Sequence, residues 1–260
     1  MADLPGKRWP AGTTDVLATR AKIAVVVPAT NTTVQPEYEM LRPGGVTNHV
    51  TRMLLPPRPA DDLEVYRKAL QSEEGQLLEA LDLVLPCEPH VVAHGHSIHS
   101  FRGTLERARD EVRRLEDYCE RPFVTPSMAV LQGLEALGRP QRLGIVTPYW
   151  GPAGEVIADF FRSAGYSATR VVNLEGTGPT NVSRIPLERI HAGFDQADGP
   201  DVDALVHVGT ALPVSTITAA IEAKHGKPLI GVNVATYWAA LRAIGIQDRI
   251  AGFGRLVAEH

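Results

Sequence analysis

Short apolar runs alternate with longer segments of helical periodicity along most of the chain. The most apolar runs are bounded by Pro, Gly or polar residues and occupy residues 22–27, 91–93, 142–146, 204–208 and 229–232. Runs of this kind are typical of buried strands in a parallel sheet. Further strands are predicted at 46–55, 123–124 and 168–174, and the polar character of the first favours a sheet edge. The alternation predicts an α/β fold.

Helices are predicted between these strands. The segments of helical periodicity are 61–85, 102–120, 126–137, 156–164, 186–196, 215–224 and a last helix that ends at Ala243. On the second of these helices Cys119 shares one face with the apolar residues, so it is expected in the core rather than as a nucleophile. The third follows Thr125 and Pro126, a favoured helix start. Its free backbone amides are either capped by Thr125 or form a seat for a carboxylate or phosphate, and the sequence leaves both open.

Polar residues cluster where the strand at 91–93 ends. Residues 89–100 read PHVVAHGHSIHS, which places His94, His96 and His99 within six positions. Groups just beyond the carboxyl end of a central strand are where open α/β sheets carry their chemistry. The stretch therefore predicts the location of a functional site. His99 is expected in the turn or helix that follows the strand.

The chain contains an internal echo. Two stretches of the first half resemble two of the second: VVVPATN at 25–31 resembles IVTPYWG at 145–151, and VVAHGHS at 91–97 resembles LVHVGTA at 205–211. In the second pair His96 corresponds to Thr210. Two pairs at a similar offset predict two βαβ lobes related by a pseudo-two-fold axis. Their strand ends would face each other across a cleft, which is a common place for a ligand site.

The echo also divides the chain into parts. Residues 1–20 read as a mobile tail or a surface-packed arm, residues 21–125 together with 232–260 as the first lobe, and residues 126–231 as the second. The cleft between the lobes is expected to be lined by Asn31, His96, Thr125, Tyr149 and Thr210.

Composition excludes several classes of function. The 260 residues are 44% hydrophobic and 22% charged, an ordinary globular mixture. With 26 basic and 30 acidic side chains the formal net charge is −4, which gives no electrostatic basis for binding nucleic acid or an anionic membrane. No apolar run has the length of a membrane span, and the first twenty residues lack the apolar core of a secretory signal. Two cysteines make no disulfide framework, so a cytoplasmic protein is expected.

Six short motifs carry a family resemblance. They are VVVPATNTTVQPE, VVAHGHS, FVTPS, IVTPYWGP, TNVSRIP and LVHVGTALP. In this order they resemble the maleate cis-trans isomerase and arylmalonate decarboxylase branch of the aspartate/glutamate racemase superfamily. The resemblance implies two pseudo-symmetric lobes, each a parallel sheet flanked by helices, with a cofactor-free site for a small carboxylate between them. It also favours a homo-oligomer.

The resemblance implies roles for residues at the strand ends. Asn31 matches an asparagine that binds the substrate carboxylate, Tyr149 a tyrosine that contacts the substrate, and Asn181 an asparagine of a flexible loop. Ser127 matches a small hydroxyl residue at the amino end of a helix. The other expected binding residues lie at or beside these positions: Thr30, Thr125, Thr147, His94 and His207.

The catalytic positions depart from the family pattern. The family uses cysteine at the ends of two pseudo-equivalent strands, where this chain is interpreted as having His96 and Thr210. Thiolate addition to maleate and racemisation by two matched bases are therefore not expected. An imidazole, with an ordinary pKa of about 6.5, can serve as a single general acid/base, and Thr210 and Tyr149 would stabilise developing negative charge. One-base chemistry fits: decarboxylation, addition or loss of water, tautomerisation or hydrolysis.

Two other interpretations stay open. His94 and His96 would supply two ligands for a divalent metal in a hydrolase or hydratase, with His207 or Glu37 completing the shell. No Asp or Glu adjoins the histidines in sequence to orient them, so neutral, packed imidazoles are favoured over a metal site. Alternatively, the chain is a carboxylate-binding protein without catalytic activity. The favoured hypothesis is an enzyme that needs no cofactor.

Overall fold

The computed structural model describes residues 9–55, 75–178 and 180–260, whose strands form two parallel sheets. The strands of the first sheet are β1 (Ala21–Pro28), β2 (Val46–Met53), β3 (Val91–His94) and β4 (Phe123–Val124). Those of the second sheet are β5 (Arg142–Thr147), β6 (Ser167–Asn173), β7 (Ala204–His207) and β8 (Leu229–Gly231). Every predicted strand is present.

The two sheets repeat one topology. Their strand orders are β2-β1-β3-β4 and β6-β5-β7-β8, with all neighbouring strands parallel. In β1 every residue is buried, as expected of a strand covered on both faces. Strand β2 is less buried and lies at an edge, as its polar sequence predicted. The prediction of two α/β lobes with parallel sheets is confirmed.

Helices connect the strands and cover the sheets. They are α1 (Val34–Leu41), α2 (described over 75–84), α3 (Ser97–Ser100), α4 (Leu105–Cys119), α5 (Pro126–Ala136), α6 (Gly151–Ser163), α7 (Leu187–Ala197), α8 (Thr218–His225), α9 (Val232–Ala243) and α10 (Arg255–Glu259). Short 3-10 turns occupy Leu85–Cys87, Val182–Arg184 and Ser215–Ile217.

The helix predictions were incomplete at short elements. Helices α1, α3 and α10 have eight, four and five residues and were not predicted, because so few residues show no clear periodicity. Helix α6 begins at Gly151, five residues before its predicted start, and α8 begins with a 3-10 turn. On α4, Cys119 is buried as predicted.

Helix α9 joins the two lobes. It follows β8 of the second sheet, yet it packs against α1, α5 and β3. Its residues 232–241 are all buried, so it has no polar face. No helix in the described ranges is long and apolar enough to cross a membrane. The assignment of residues 232–260 to the first lobe agrees with this packing and stays a prediction.

Some predicted segments lie outside the described residues. These are most of the predicted helix at 61–85, the first eight residues of the tail, and the segment at 56–62, whose prolines predict an extended loop at the mouth of the site. Further along the tail, Gly12 donates a hydrogen bond to the Pro89 carbonyl, and Arg121 donates one to the Trp9 carbonyl at 3.1 Å. This part of the tail is therefore packed against the first lobe.

A close approach of backbones fixes one glycine in β5. A Cβ on Gly144 would lie 2.2 Å from the carbonyl oxygen of Ala197, on helix α7. The obstacle is backbone, which cannot move aside as a side chain can. The β5–β6 register also shifts between Leu143 and Gly144.

We expect Gly144→Ala to lower the free energy of unfolding in urea by about 2–4 kcal/mol, because the methyl group forces β5 and α7 apart. The control is Gly44→Ala, since a Cβ on Gly44 meets nothing within 4 Å. The control should change the unfolding free energy by less than about 0.5 kcal/mol. Equal stability of the two variants would contradict the close approach.

Candidate active site

The carboxyl ends of the central strands bring the predicted site residues to one region. Strand β3 ends at His94, which pairs with Val26 of β1, and β7 ends at His207, which pairs with Val146 of β5. When the two sheets are aligned on these pairs, His94 matches His207. The third residue after each is Ser97 and Thr210, so Thr210 is equivalent to Ser97 and not to His96. The strand register therefore shifts the equivalence drawn from the sequence by one residue.

Ser97 connects the two lobes. It is the first residue of α3 and follows His96, which lies at the N-cap in an extended conformation. Its hydroxyl oxygen lies 3.0 Å from the Tyr149 hydroxyl and accepts a hydrogen bond from the Thr210 backbone N–H at 3.2 Å. Tyr149 follows β5 and Thr210 follows β7. One side chain of the first lobe thus contacts two strand ends of the second.

Asn31 is the second connection between the lobes. Its side-chain oxygen accepts hydrogen bonds from the backbone N–H groups of Thr33 and Val34, each at 2.9 Å, so it caps the start of α1. This use of the oxygen fixes the orientation of the amide. The amide nitrogen then faces the second lobe and lies 3.3 Å from the Thr210 hydroxyl. Asn31 is buried, and Thr30 beside it is exposed.

A glycine turn delivers Thr210 to this region. Gly209 has a φ of 155°, and a Cβ there would lie 2.3 Å from Cδ of Pro148. A larger residue does not fit this close approach. The side chain of Thr147 supports the neighbouring turn, since its hydroxyl accepts from the Tyr149 N–H at 3.4 Å. Both loops of the second lobe are therefore held by short-range contacts.

The three histidines of the first lobe form a triangle. Their ring centroids are 6.0 Å apart for His94 and His96, 6.1 Å for His94 and His99, and 6.2 Å for His96 and His99. All three are buried. The sequence suggested no acidic neighbour, but Nε2 of His99 lies 2.7 Å from Oε1 of Glu111, on α4. The histidine cluster therefore has an acidic partner from a distant part of the chain.

Burial determines the charge of most of these groups. It lowers the pKa of His94 and of His207 to about 3, so both imidazoles are neutral at physiological pH. Burial also lowers the pKa of His99, against the opposing effect of Glu111. Burial alone would raise the pKa of Glu111, but the bond with His99 and the charge of Arg107 outweigh it and lower the pKa. A neutral imidazole thus donates to a carboxylate.

The start of α5 carries two buried hydroxyl groups. Thr125 occupies the N-cap position without a side-chain capping bond. Neither its hydroxyl nor that of Ser127 has a hydrogen-bond partner within the described residues, although both are buried. The Ser127 N–H donates to the hydroxyl of Ser100 at 3.1 Å. The capping interpretation is wrong, and the alternative of a carboxylate seat remains.

The described hydrogen bonds do not join Asn181 to the other expected binding residues. Its amide nitrogen donates to the backbone carbonyl and hydroxyl of Thr177, at 3.3 and 3.2 Å, and its oxygen accepts from Arg184 at 3.3 Å. Its described hydrogen bonds therefore stay within its own loop.

The sequence reasoning missed several residues of the site. Glu111 is on the buried face of α4, three positions after Ala108 and four before Leu115, a spacing that could have identified it. Asn233 follows β8, where chemistry is expected at a strand end. Ser97 adjoins His96 in sequence, but its role depends on the turn into α3. The fourth, Ser100, ends the histidine-rich stretch at 89–100, but its contact with Ser127 depends on the packing of α3 against α5.

The metal interpretation has no matching geometry. Across the described ranges, no group of three or more His, Cys, Asp or Glu is arranged to hold a metal ion. Glu37, considered above as a ligand, accepts hydrogen bonds from the Ser215 N–H at 3.0 Å and from the Asn233 amide at 2.6 Å. Both of its oxygens are therefore already engaged.

Comparison with known proteins identifies the family. The sequence profile described as arylmalonate decarboxylase matches residues 80–257, more than half of the chain. The chain belongs to the arylmalonate decarboxylase family. Curated relatives include a maleate isomerase of Nocardia farcinica, 28% identical over 92% of this chain and 96% of the relative. A maleate isomerase of Pseudomonas putida is 26% identical over 91% and 97%.

Solved structures share the fold of this chain. The maleate cis-trans isomerase of Nocardia farcinica superposes with a TM-score of 0.81 at 25% identity, covering 92% of this chain and 98% of that one. An arylmalonate decarboxylase superposes with a TM-score of 0.73 at 21% identity, covering 92% and 100%. These relatives are enzymes of the isomerase and lyase types.

This member of the arylmalonate decarboxylase family has no cysteine at its strand ends. The sequence contains two cysteines. Cys87 lies in the 3-10 turn before β3, and Cys119 ends α4 in a cluster with Leu115 and Phe123. Burial raises the pKa of the Cys119 thiol to about 12, so it is not a thiolate at neutral pH. Neither cysteine lies at the carboxyl end of a central strand.

The two neutral histidines predict acid-sensitive stability. His94 and His207 have a pKa of about 3 in the folded protein, against about 6.5 in an unfolded chain. Above the pKa of the unfolded chain, the two histidines are neutral in both states and cost no stability. As the pH falls below that value, the unfolded chain takes up protons that the folded protein cannot, and the free energy of unfolding decreases. We expect the unfolding free energy in urea to fall by about 2–3 kcal/mol between about pH 7 and pH 5.5, from the difference between these pKa values.

The matched variants are His94→Gln and His260→Gln. The first removes one of the two groups and should roughly halve the fall. The second removes an exposed imidazole, which meets water in both states, and should leave the fall unchanged. An unchanged fall in His94→Gln would show that His94 is not the group responsible.

Proposed function

We propose that the protein is a cofactor-independent acid/base enzyme acting on a small mono- or dicarboxylate, with His96 as its single acid/base. The observation that carries this proposal is the meeting of hydroxyl and amide groups from both lobes, supplied by Ser97, Tyr149, Thr210 and Asn31, without a cysteine. These groups can donate hydrogen bonds to a carboxylate. His96 precedes Ser97, which contacts both Tyr149 and Thr210.

The relatives support the substrate class. Two curated relatives are named maleate isomerases, and a mutant of the Nocardia farcinica enzyme was solved with a covalently bound succinylcysteine intermediate. Such an intermediate requires a thiol next to the substrate. Since neither cysteine here is near the strand ends, this chain would not isomerise maleate by that route.

Chemistry with one acid/base fits the groups present. Loss of carbon dioxide from a malonate-type acid leaves an enediolate, which needs hydrogen-bond donors for its oxygens and one proton for its carbon. The hydroxyls of Thr210 and Tyr149 would stabilise the negative charge, and His96 would deliver the proton. A threonine hydroxyl without an activating base is a poor second acid. Decarboxylation is thus the first reaction to test.

A carboxylate seat is available at two places. Asn31 presents its amide nitrogen to the second lobe, and the start of α5 presents the buried hydroxyls of Thr125 and Ser127. A helix start favours an anion, because its backbone N–H groups and dipole attract negative charge. Asn181 would join the seat only after its loop turns inward. Thr30, Thr147, His94 and His207 would act beside or beneath the substrate.

The test is turnover measured by proton NMR on phenylmalonate, maleate and malonate, with wild-type protein and His96→Asn. We expect wild type to consume one of these acids and His96→Asn to lose a factor of about 100 or more in kcat, the usual contribution of a general acid/base. His260→Asn is the matched control. Unfolding midpoints of all three proteins should agree.

Other outcomes would replace the proposal. Binding of these acids by calorimetry without consumption by wild type would indicate a carboxylate-binding protein. A stoichiometric divalent metal that is lost in His94→Ala, with loss of activity, would indicate the metal-dependent hydrolase or hydratase. Full activity in His96→Asn would exclude His96 as the acid/base. The homo-oligomer and the cytoplasmic location stay predictions.

A further inference from the structure

The segment from β1 into α1 holds the loop after β7 at three points. Asn31 donates to the Thr210 hydroxyl at 3.3 Å, and the Thr33 hydroxyl donates to the Ala211 carbonyl at 2.8 Å. Further along the loop, the Ser215 N–H donates to Oε1 of Glu37 at 3.0 Å. The first lobe therefore determines where this loop of the second lobe lies.

Burial of the Glu37 carboxyl group between α1 and the loop after β7 is energetically unfavourable. Its side chain is buried, and burial raises the pKa of its carboxyl, against the opposing hydrogen bonds from Asn233 and Ser215. Its described hydrogen-bond partners are backbone N–H groups, the Asn233 amide and the Ser215 hydroxyl, and none of them is a cation. Burying a carboxylate without a cation is unfavourable, and an apolar residue would fill the space at lower cost. A role beyond packing would account for its presence.

Asn233 relays the position of Glu37 to Thr210. The Asn233 amide nitrogen donates to Oε2 of Glu37 at 2.6 Å and to the backbone carbonyl of Thr210 at 3.0 Å. Both neighbours are acceptors, so the two hydrogens of the amide are used and its orientation is fixed. Glu37 thus orients the Asn233 amide, and the Asn233 amide donates to the Thr210 carbonyl.

Thr210 is consequently held at every polar atom. Its carbonyl accepts from Asn233, its N–H donates to Ser97, and its hydroxyl accepts from Asn31. We propose that Glu37 is a positioning residue, which sets the Thr210 hydroxyl in the cleft by acting through Asn233. This inference rests on the proposed function, in which the Thr210 hydroxyl contacts the substrate.

An exchanged pair of side chains separates positioning from stability. In Glu37→Gln the new amide either turns its N–H group toward the Asn233 amide, so that two donors face each other, or turns it toward Ser215 and loses that hydrogen bond. In Asn233→Asp the carboxylates of residues 37 and 233 face each other. In the double variant the amide of residue 37 donates to the carboxylate of residue 233, while its oxygen still accepts from Ser215. The bond between the two side chains is restored. The Thr210 carbonyl then has no donor from residue 233.

The readouts are urea unfolding, amide hydrogen exchange of residues 209–215 by mass spectrometry, and the Kd of maleate by calorimetry. We expect each single variant to be less stable than wild type and the double variant to be more stable than either single variant, but to stay below wild type because the Thr210 carbonyl has lost its donor. In the double variant exchange of the loop should remain about tenfold faster and maleate binding about tenfold weaker, the factor for one lost hydrogen bond. In a Thr210→Val background the double change should weaken maleate binding no further.

Three results would overturn the inference. One is recovery of loop protection and maleate affinity together with stability, which would mark Glu37 as purely structural. Another is failure of the double variant to recover stability, since the bond between residues 37 and 233 would then not exist as described. The third is an additive loss in the Thr210→Val background. If wild type binds no maleate, the proposed substrate class fails, while loop exchange still decides the positioning role.

Discussion

The arrangement depends on hydrogen bonds that cross between the carboxyl ends of two parallel sheets. Ser97 contacts the residues after β5 and β7, and Asn31 contacts Thr210 across the same gap. Polar groups that leave water must find partners, so each lobe completes the bonding of the other. The loops at the carboxyl ends of each sheet thus depend on hydrogen-bond partners from the other lobe. A substrate carboxylate would join a network that both lobes already share.

The sequence predicted the strands well because each is an apolar run with clear ends. It also predicted that polar residues at the ends of central strands come together, and the contact between Asn31 and Thr210 agrees with that prediction. Contacts between distant segments could not be predicted in the same way. Nothing near His99 in sequence indicates Glu111, and nothing near Glu37 indicates Asn233. Such pairs depend on how α4 and α9 pack. Hydrophobic periodicity predicts which face of a helix is buried, but not which residue of a distant segment that face contacts.

The histidines show how environment divides one residue type into different roles. His94 and His207 lie at equivalent strand ends, and complete burial keeps both neutral. His99 lies on α3 and donates to a carboxylate. His96 occupies the turn itself, beside Ser97. Environment thus keeps His94 and His207 neutral and pairs His99 with Glu111, and the acid/base role that we propose for His96 rests on its place in the turn.

The positions of the cysteines say more than the fold does about which reactions are chemically feasible for this protein. The relatives share this fold over almost their whole length, so the fold alone does not distinguish isomerisation from decarboxylation. Isomerisation through a covalent adduct needs a nucleophile that can add and leave, and a hydroxyl at Thr210 lacks the base to do so. Decarboxylation asks only for stabilised negative charge and one proton. In our proposal the hydroxyls of Thr210 and Tyr149, with His96, would meet that smaller requirement, and the lack of a cysteine at the carboxyl ends of the central strands is the reason we test lyase before isomerase chemistry.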